Sequence, residues 1–131
     1  MDAVKHKRVL IVDDERDLVE VLALRLSAGW GYTVTTALDG AEGLRKASAT
    51  RPDLILLDVS MPEVDGWEMC RRLRDDPATS GIPVVMMTAY SGEDVKQRAA
   101  AEGVARLLVK PVDDRDLLGA LREHAGGARA K

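Results

Sequence analysis

The chain has 131 residues, 19 basic and 22 acidic side chains, and hydrophobic residues at 46% of its positions. This length fits a single domain, and so apolar a composition argues against an intrinsically disordered chain. The net charge of −3 argues against direct nucleic-acid binding, which is usually marked by a basic stripe. No apolar run approaches the roughly 20 residues of a membrane span, and no signal peptide is recognisable. We therefore expect a cytoplasmic protein without a membrane segment.

Five short apolar runs recur along the chain, and each has the length of a β-strand. Four of them are continuously apolar, which is typical of strands buried on both faces of a parallel sheet. The second run alternates between apolar and polar residues, which predicts an edge strand. In chain order the runs are residues 9–12, 32–36, 54–57, 84–87 and 107–109.

A helical pattern follows each apolar run. The first pattern has one predicted apolar face, made of Leu18, Val21, Leu22 and Leu26. The third contains Cys70, the only cysteine, which we expect to be a buried or half-buried thiol, and Asp65 is its expected N-cap. The patterns cover residues 16–28, 41–49, 66–75, 93–102 and 114–124. This fivefold alternation predicts an α/β fold with a parallel sheet and right-handed crossovers.

Chemically active side chains follow four of the five predicted strands. In chain order they are Asp13, Asp14 and Glu15, then Asp58, then Thr88, then Lys110. Because the carboxyl ends of parallel strands lie at one edge of the sheet, we expect these side chains to converge in one cleft. Each has a simpler explanation alone: the three acids could cap a helix, and Lys110 could merely end a strand.

Taken together, these residues favour a phosphoryl-transfer site. Clustered carboxylates repel one another unless some are protonated or a cation lies among them. A few carboxylates with room for water suit Mg²⁺, and Lys110 supplies a second positive charge. Two positive centres beside a carboxylate are what a transferring phosphoryl group requires. The carboxylate itself can be the nucleophile, which would give an aspartyl-phosphate.

At these residues the chain resembles the receiver domains of bacterial two-component signalling, a family that includes the chemotaxis response regulator. The resemblance runs from about Arg8 to His124, and its motifs are residues 9–15, 57–66, 87–89 and 109–111. It implies a flavodoxin-like (βα)5 three-layer sandwich with a five-stranded parallel sheet of order 2-1-3-4-5. Residues 1–125 would form the receiver domain, and residues 126–131 a flexible tail or truncated linker.

The resemblance also implies a role for each residue of the cleft. Asp58 would be the phospho-acceptor, while Thr88 and Lys110 would each bond a phosphoryl oxygen. The peptide bond between Lys110 and Pro111 is typically cis in this family. The ligands of Mg²⁺, for which Mn²⁺ may substitute, would be Asp13, Asp14, Asp58 and the backbone carbonyl of Ser60.

One position departs from the family's pattern. Receiver domains usually have Tyr or Phe three residues before the lysine, whereas this chain has Leu107. Tyr90, two residues after Thr88, is the aromatic residue nearest the predicted site in sequence. It is either a partly exposed packing residue or a gate of the pocket.

The resemblance implies that a sensor histidine kinase or a histidine phosphotransfer protein donates the phosphoryl group from a phosphohistidine. The domain would assist its own phosphorylation and dephosphorylation without being an enzyme of free metabolites. Its output partner is not identified by the sequence, and a homodimer formed on phosphorylation is one option.

Three alternatives are considered, and the residues disfavour the second and the third. The chain could be a receiver fragment of a larger DNA-binding regulator or hybrid histidine kinase. A haloacid-dehalogenase-type phosphatase also uses an aspartyl nucleophile with Mg²⁺, but places it after the first strand. A flavodoxin-like FMN carrier would need a phosphate loop where this chain has three acids.

Overall fold

The computed structural model describes residues 7–59, 66–90 and 92–125, in which five strands alternate with five α-helices. The strands are β1 (Arg8–Val12), β2 (Thr33–Ala37), β3 (Leu54–Asp58), β4 (Val84–Thr88) and β5 (Arg106–Val109). The helices are α1 (Arg16–Leu24), α2 (Gly40–Thr50), α3 (Gly66–Asp75), α4 (Glu93–Ala101) and α5 (Asp114–His124). Within the described ranges, none of these helices has the length and apolar character needed to span a membrane.

The strands form one parallel sheet in the order β2-β1-β3-β4-β5, which confirms the predicted fold and strand order. The register aligns the carboxyl ends of the inner strands. Val12 pairs with Leu57, and Asp58 pairs with Met87. The residues that follow β1, β3, β4 and β5 therefore emerge at the same edge of the sheet.

Apolar clusters lie on both faces of the sheet, because successive residues of a strand point to opposite sides. One cluster joins the sheet to α1 and α5 through Val9, Ile11, Leu22, Leu26, Leu56, Met87, Leu117 and Leu121. The other joins the sheet to α2 and α3 through Leu10, Val12, Ala47, Ile55, Leu57, Met69, Leu73 and Met86. The result is the three-layer sandwich that the resemblance implies.

The two outer strands differ from each other in how well the sequence predicted them. β2 lies at one edge of the sheet, as its alternating pattern indicates. β5 forms the other edge, as the implied order 2-1-3-4-5 requires, but the prediction that it is buried on both faces is wrong. Leu108 is buried, whereas Val109 is 42% exposed.

The first helix also departs from its prediction. The α-helix ends at Leu24 and continues as a π-helical turn over Arg25–Gly29, so the predicted helix 16–28 is two segments. Val21 was predicted on the apolar face but is 51% exposed, and Val19 is buried instead. The apolar residues of this helix form two stripes, and only packing against the sheet decides which one is covered. The expected N-cap of α3, Asp65, lies outside the described residues.

Candidate functional site

Asp13 and Asp14 occupy the short turn between β1 and α1. Asp13 has no exposed surface, and its Oδ1 accepts a hydrogen bond of 3.0 Å from the backbone N–H of Glu15. Its second oxygen, Oδ2, accepts a bond of 3.1 Å from the ammonium of Lys110. Asp14 is exposed, so the pair presents one buried and one solvent-facing carboxylate.

Asp58 is the last residue of β3 and is 5% exposed. One carboxylate oxygen from each of Asp13, Asp14 and Asp58 can be chosen such that all three lie within 4.8 Å of one another. This spacing and donor set fit a hard divalent cation, and the exposed Asp14 side leaves room for the waters that Mg²⁺ retains. Ser60, whose carbonyl is the further expected ligand, lies outside the described residues.

Lys110 follows β5 and reaches across the sheet edge to the acids. Its Nζ lies 3.1 Å from Asp13 Oδ2, 3.5 Å from Asp58 Oδ1 and 3.6 Å from Glu15 Oε1. Burial alone lowers the pKa of Lys110, but the bond to Asp13 and the surrounding carboxylate charges outweigh burial, so the pKa is raised. The side chain is therefore a permanent cation near neutral pH. The peptide bond from Lys110 to Pro111 is cis, as the resemblance implies.

Thr88 ends β4 and is 2% exposed. Its hydroxyl donates a hydrogen bond of 3.0 Å to the carbonyl of Tyr90 and accepts one of 3.0 Å from the Tyr90 N–H. The hydroxyl is thus engaged with the backbone of the segment between β4 and α4. To bond a phosphoryl oxygen with its proton, it must release the Tyr90 carbonyl.

Tyr90 and Leu107 lie in different surroundings. The Tyr90 side chain is 59% exposed and lies over Gly92, where an added Cβ atom would clash with the tyrosine oxygen. Leu107 is half-buried, pairs with Met86 in the sheet and packs against the apolar cluster of the α2 and α3 face. Of the two, Tyr90 is the one with freedom to change its environment.

The sequence did not predict a groove that lies beside the acids. It runs between α1 and the segment after β5, and its lining includes Leu18, Val21, Arg25, Lys110 and Pro111. Glu15, which had no individual role in the predictions, also lines it. The signal in the sequence was the second apolar stripe of α1, which continues to Leu24, 66% exposed.

Residues 9–122 match the family model of the response regulator receiver domain. Response regulator PleD of Caulobacter vibrioides is 44% identical over 115 residues, which cover 88% of this chain and 25% of PleD. The chain spans half or less of the length of most curated relatives it matches.

Solved structures agree in fold. Chemotaxis protein CheY4 of Vibrio cholerae is 34% identical with a TM-score of 0.85, over 91% of this chain and 98% of that one. The receiver domain of sensor histidine kinase PA1611 from Pseudomonas aeruginosa is 27% identical with a TM-score of 0.83, over 92% and 98%. That structure contains a magnesium ion coordinated in its active site cleft.

Proposed function

The chain belongs to the response regulator receiver family of two-component signalling, and we propose that Asp58 is the residue that accepts the phosphoryl group. The observation that carries the proposal is the position of Asp58. It is a nearly buried carboxylate at the edge of the sheet, 3.5 Å from the ammonium of Lys110 and beside two further carboxylates. Such a carboxylate combines a nucleophile with an adjacent positive charge.

The proposed reaction is an in-line displacement at phosphorus. A carboxylate oxygen of Asp58 forms the new bond to phosphorus, while the bond from phosphorus to the donor's imidazole nitrogen breaks and leaves its electron pair on nitrogen. Lys110 neutralises charge on the phosphoryl oxygens, and a fixed cation in this position stabilises the transition state without having to reorganise. Thr88 exchanges its bond with the Tyr90 carbonyl for one with a phosphoryl oxygen.

Asp13, Asp14 and Asp58, with the backbone carbonyl of Ser60, are the residues that would hold Mg²⁺. When bound, the cation neutralises negative charge between the acids and the phosphoryl group. Asp13 orients this arrangement through its bonds to Glu15 and Lys110. Mn²⁺ is proposed to substitute, because it accepts the same oxygen ligands.

Receiver domains are signalling modules that receive phosphoryl groups from histidine kinases and connect to output domains. For this chain we propose a sensor kinase or a histidine phosphotransfer protein as donor, met in the cytoplasm, and slow self-catalysed hydrolysis of the aspartyl-phosphate. The apolar groove along α1 is lined by Lys110, whose ammonium contacts Asp13 and Asp58 of the acid cluster. A donor whose phosphohistidine reaches Asp58 would therefore cover this groove.

Family membership decides against the haloacid-dehalogenase-type phosphatase and the FMN carrier. The alternative of a receiver that belongs to a larger regulator or hybrid kinase is kept, because most curated relatives are longer than this chain. Phosphorylation-dependent pairing of two copies is likewise kept as a proposed output.

The test is uptake of one phosphoryl group from acetyl phosphate, followed by intact-mass measurement. Wild type should gain the mass with Mg²⁺ or Mn²⁺ and not with a chelator, whereas Asp58→Asn should not gain it. Asp75→Asn, at an exposed position at the end of α3, is the control and should behave as wild type. Equal uptake by wild type and Asp58→Asn would rule out Asp58 as the acceptor.

A further inference from the structure

Helix α4 is held to the rest of the domain by little apolar packing. Among the described residues of the chain, α4 contributes one buried side chain, Ala99, whereas α5 contributes Leu117, Ala120 and Leu121. A helix with a single buried residue needs other contacts to fix its orientation. Besides its contacts with β5, α4 has charged and aromatic side-chain contacts with α3.

The carboxyl end of α4 is tied to α3 by Glu102. Arg74 Nη1 lies 3.0 Å from Glu102 Oε1 and 2.5 Å from its backbone oxygen, and Arg71 Nη2 lies 3.3 Å from Oε2. An acidic side chain at a helix carboxyl end is unfavourable with respect to the helix dipole. The two arginines of α3 offset that cost, so the position of Glu102 depends on α3.

A second contact joins the two helices nearer to the site. The guanidinium carbon of Arg98, on α4, lies 4.7 Å from the ring centroid of Trp67, on α3. This is the distance of a cation–π interaction. Arg98 is exposed and Trp67 is half-buried, so the contact can form or break without opening the core.

The start of α3 is in turn packed against the phospho-acceptor strand. The N–H of Gly66 donates a bond of 3.1 Å to the carbonyl of Val59. A Cβ atom at residue 66 would lie 2.6 Å from the backbone oxygen of Asp58, so no slack separates the two segments. A displacement of the backbone at Asp58 must therefore move Gly66 and, with it, Trp67.

We propose that the Trp67–Arg98 contact couples Asp58 to the orientation of α4, along a path from Asp58 through Gly66. The inference rests on the proposed role of Asp58 as phospho-acceptor. Trp67 would thus have a coupling role in a chain that has leucine, and not the family's usual aromatic residue, at position 107. The path is separate from the one through Thr88 and the segment between β4 and α4.

The direction of the coupling depends on the state of the site in which the Trp67–Arg98 contact is present. It is formed in the same arrangement in which the Thr88 hydroxyl bonds the Tyr90 backbone. Movement of Gly66 and Trp67 on phosphorylation would break this contact, so the contact favours the arrangement in which Thr88 bonds the Tyr90 backbone. Because coupling between two sites is reciprocal, removal of the contact must strengthen binding of a phosphoryl mimic at Asp58.

The experiment measures the affinity of the full chain for beryllofluoride, a phosphoryl mimic, with Mg²⁺ present and fluorine NMR as readout. Arg98→Gln and Trp67→Leu should each raise the affinity about two- to fivefold, the range expected for an exposed cation–π contact. The double variant should gain no more than either single one. Arg98→Lys keeps a cation and should stay near wild type, and the matched control Lys96→Gln, an exposed cation on the same helix, should not change.

Hydrogen exchange of the α4 amides is the second measurement, and it should be faster in Arg98→Gln and Trp67→Leu than in Lys96→Gln. Unchanged affinity in Arg98→Gln overturns the coupling, as do independent effects that multiply in the double variant. Equal effects of Arg98→Lys and Arg98→Gln also overturn it. Failure of wild type to bind beryllofluoride rejects the proposed acceptor and the coupling with it, whereas normal binding by wild type with unresponsive variants rejects the coupling alone.

Discussion

The ammonium of Lys110 lies 3.1 Å from the Oδ2 atom of Asp13, a carboxylate with no exposed surface. The two residues follow β5 and β1, strands separated by β3 and β4 in the sheet. The contact therefore crosses the sheet edge from β5 to β1 and places a cation beside a buried anion. Its strength should depend on whether a second cation is present.

Lys110→Gln should lower the free energy of unfolding when no divalent cation is present. Breaking a buried ion pair costs about 3–5 kcal/mol, and the partial exposure of Lys110 makes about 3 kcal/mol the upper bound here. Mg²⁺ should stabilise the variant more than it stabilises wild type, because it replaces the lost cation. Urea unfolding with and without Mg²⁺ measures both quantities, and an identical Mg²⁺ effect in the two proteins would contradict the prediction.

The same contact sets a pH dependence. The pKa of Lys110 is raised above its ordinary value of 10.5. The stabilisation is then complete below that pH and is lost as the pH rises through the folded-state pKa. Because Lys110 stays protonated across the neutral pH range, its ionisation should not change the difference in the free energy of unfolding between wild type and Lys110→Gln. Urea unfolding at a series of pH values measures this difference. A change of the difference with pH near neutrality that is caused by deprotonation of Lys110 would contradict the raised pKa.

Asp14→Ala should weaken Mg²⁺ binding by roughly tenfold or more, and Glu15→Ala should have a much smaller effect. Asp14 belongs to the cluster of carboxylate oxygens, whereas the Glu15 side chain is 66% exposed and contacts Lys110. Fluorescence of Trp67, which lies at the start of α3 close to Asp58, provides the titration signal. Matching titration curves for the two variants would show that Asp14 is not a ligand.

Leu107→Tyr should change the response of the domain to phosphorylation, while Leu107→Met should change it little. Leu107 packs in an apolar cluster that a methionine can also fill, whereas a tyrosine adds a hydroxyl that needs a partner. Tyr90→Ala should blunt the response, because it keeps the backbone bonds to the Thr88 hydroxyl but removes the side chain that covers Gly92 in the same segment.

The readout for these three variants is the phosphorylation-dependent change in partner affinity or in dimerisation. An intact change in Tyr90→Ala together with its loss in Leu107→Met would show that Leu107 is itself the switch.

Gly66→Ala and Gly119→Ala should shift stability in opposite directions. A Cβ atom at 66 would meet the backbone of Asp58 and Val59 at 2.6 Å, so the strand end or α3 must move, at a cost of about 1–3 kcal/mol. At 119, in α5, a Cβ atom meets nothing within 4 Å, and alanine should stabilise the helix by up to about 1 kcal/mol. Urea unfolding measures the change in the free energy of unfolding of each variant, and a stabilising effect of Gly66→Ala would contradict the packing described above.

Cys70 should react slowly with iodoacetamide in the native protein. Burial, with a smaller contribution from the charge of Glu102, raises the pKa of its thiol to about 11. At pH 8 only about one thiol in a thousand is then ionised, and the side chain is 5% exposed. Alkylation should accelerate by orders of magnitude in urea, so equal native and unfolded rates at pH 8 would show an accessible thiol.

The strand–helix alternation and the contents of the site follow from local sequence. Continuous apolar runs are typical of buried strands, and parallel strands must deliver Asp13, Asp58, Thr88 and Lys110 to one edge. The direction of the chain through the sheet decides this placement, so no knowledge of side-chain contacts is needed to predict it. The alternating pattern of β2 likewise marked an edge strand.

Other features needed the folded chain. The apolar run of β5 resembles that of an inner strand, yet packing leaves Val109 exposed. Helix α1 has two apolar stripes, of which the sheet covers one. The bond of Thr88 to Tyr90 depends on the turn that the backbone makes after β4. The contacts of Arg98 with Trp67 and of Glu102 with Arg74 join residues about 30 positions apart. Local patterns set which elements form, whereas the packing of those elements selects among faces, edges and side-chain partners that are equivalent in sequence.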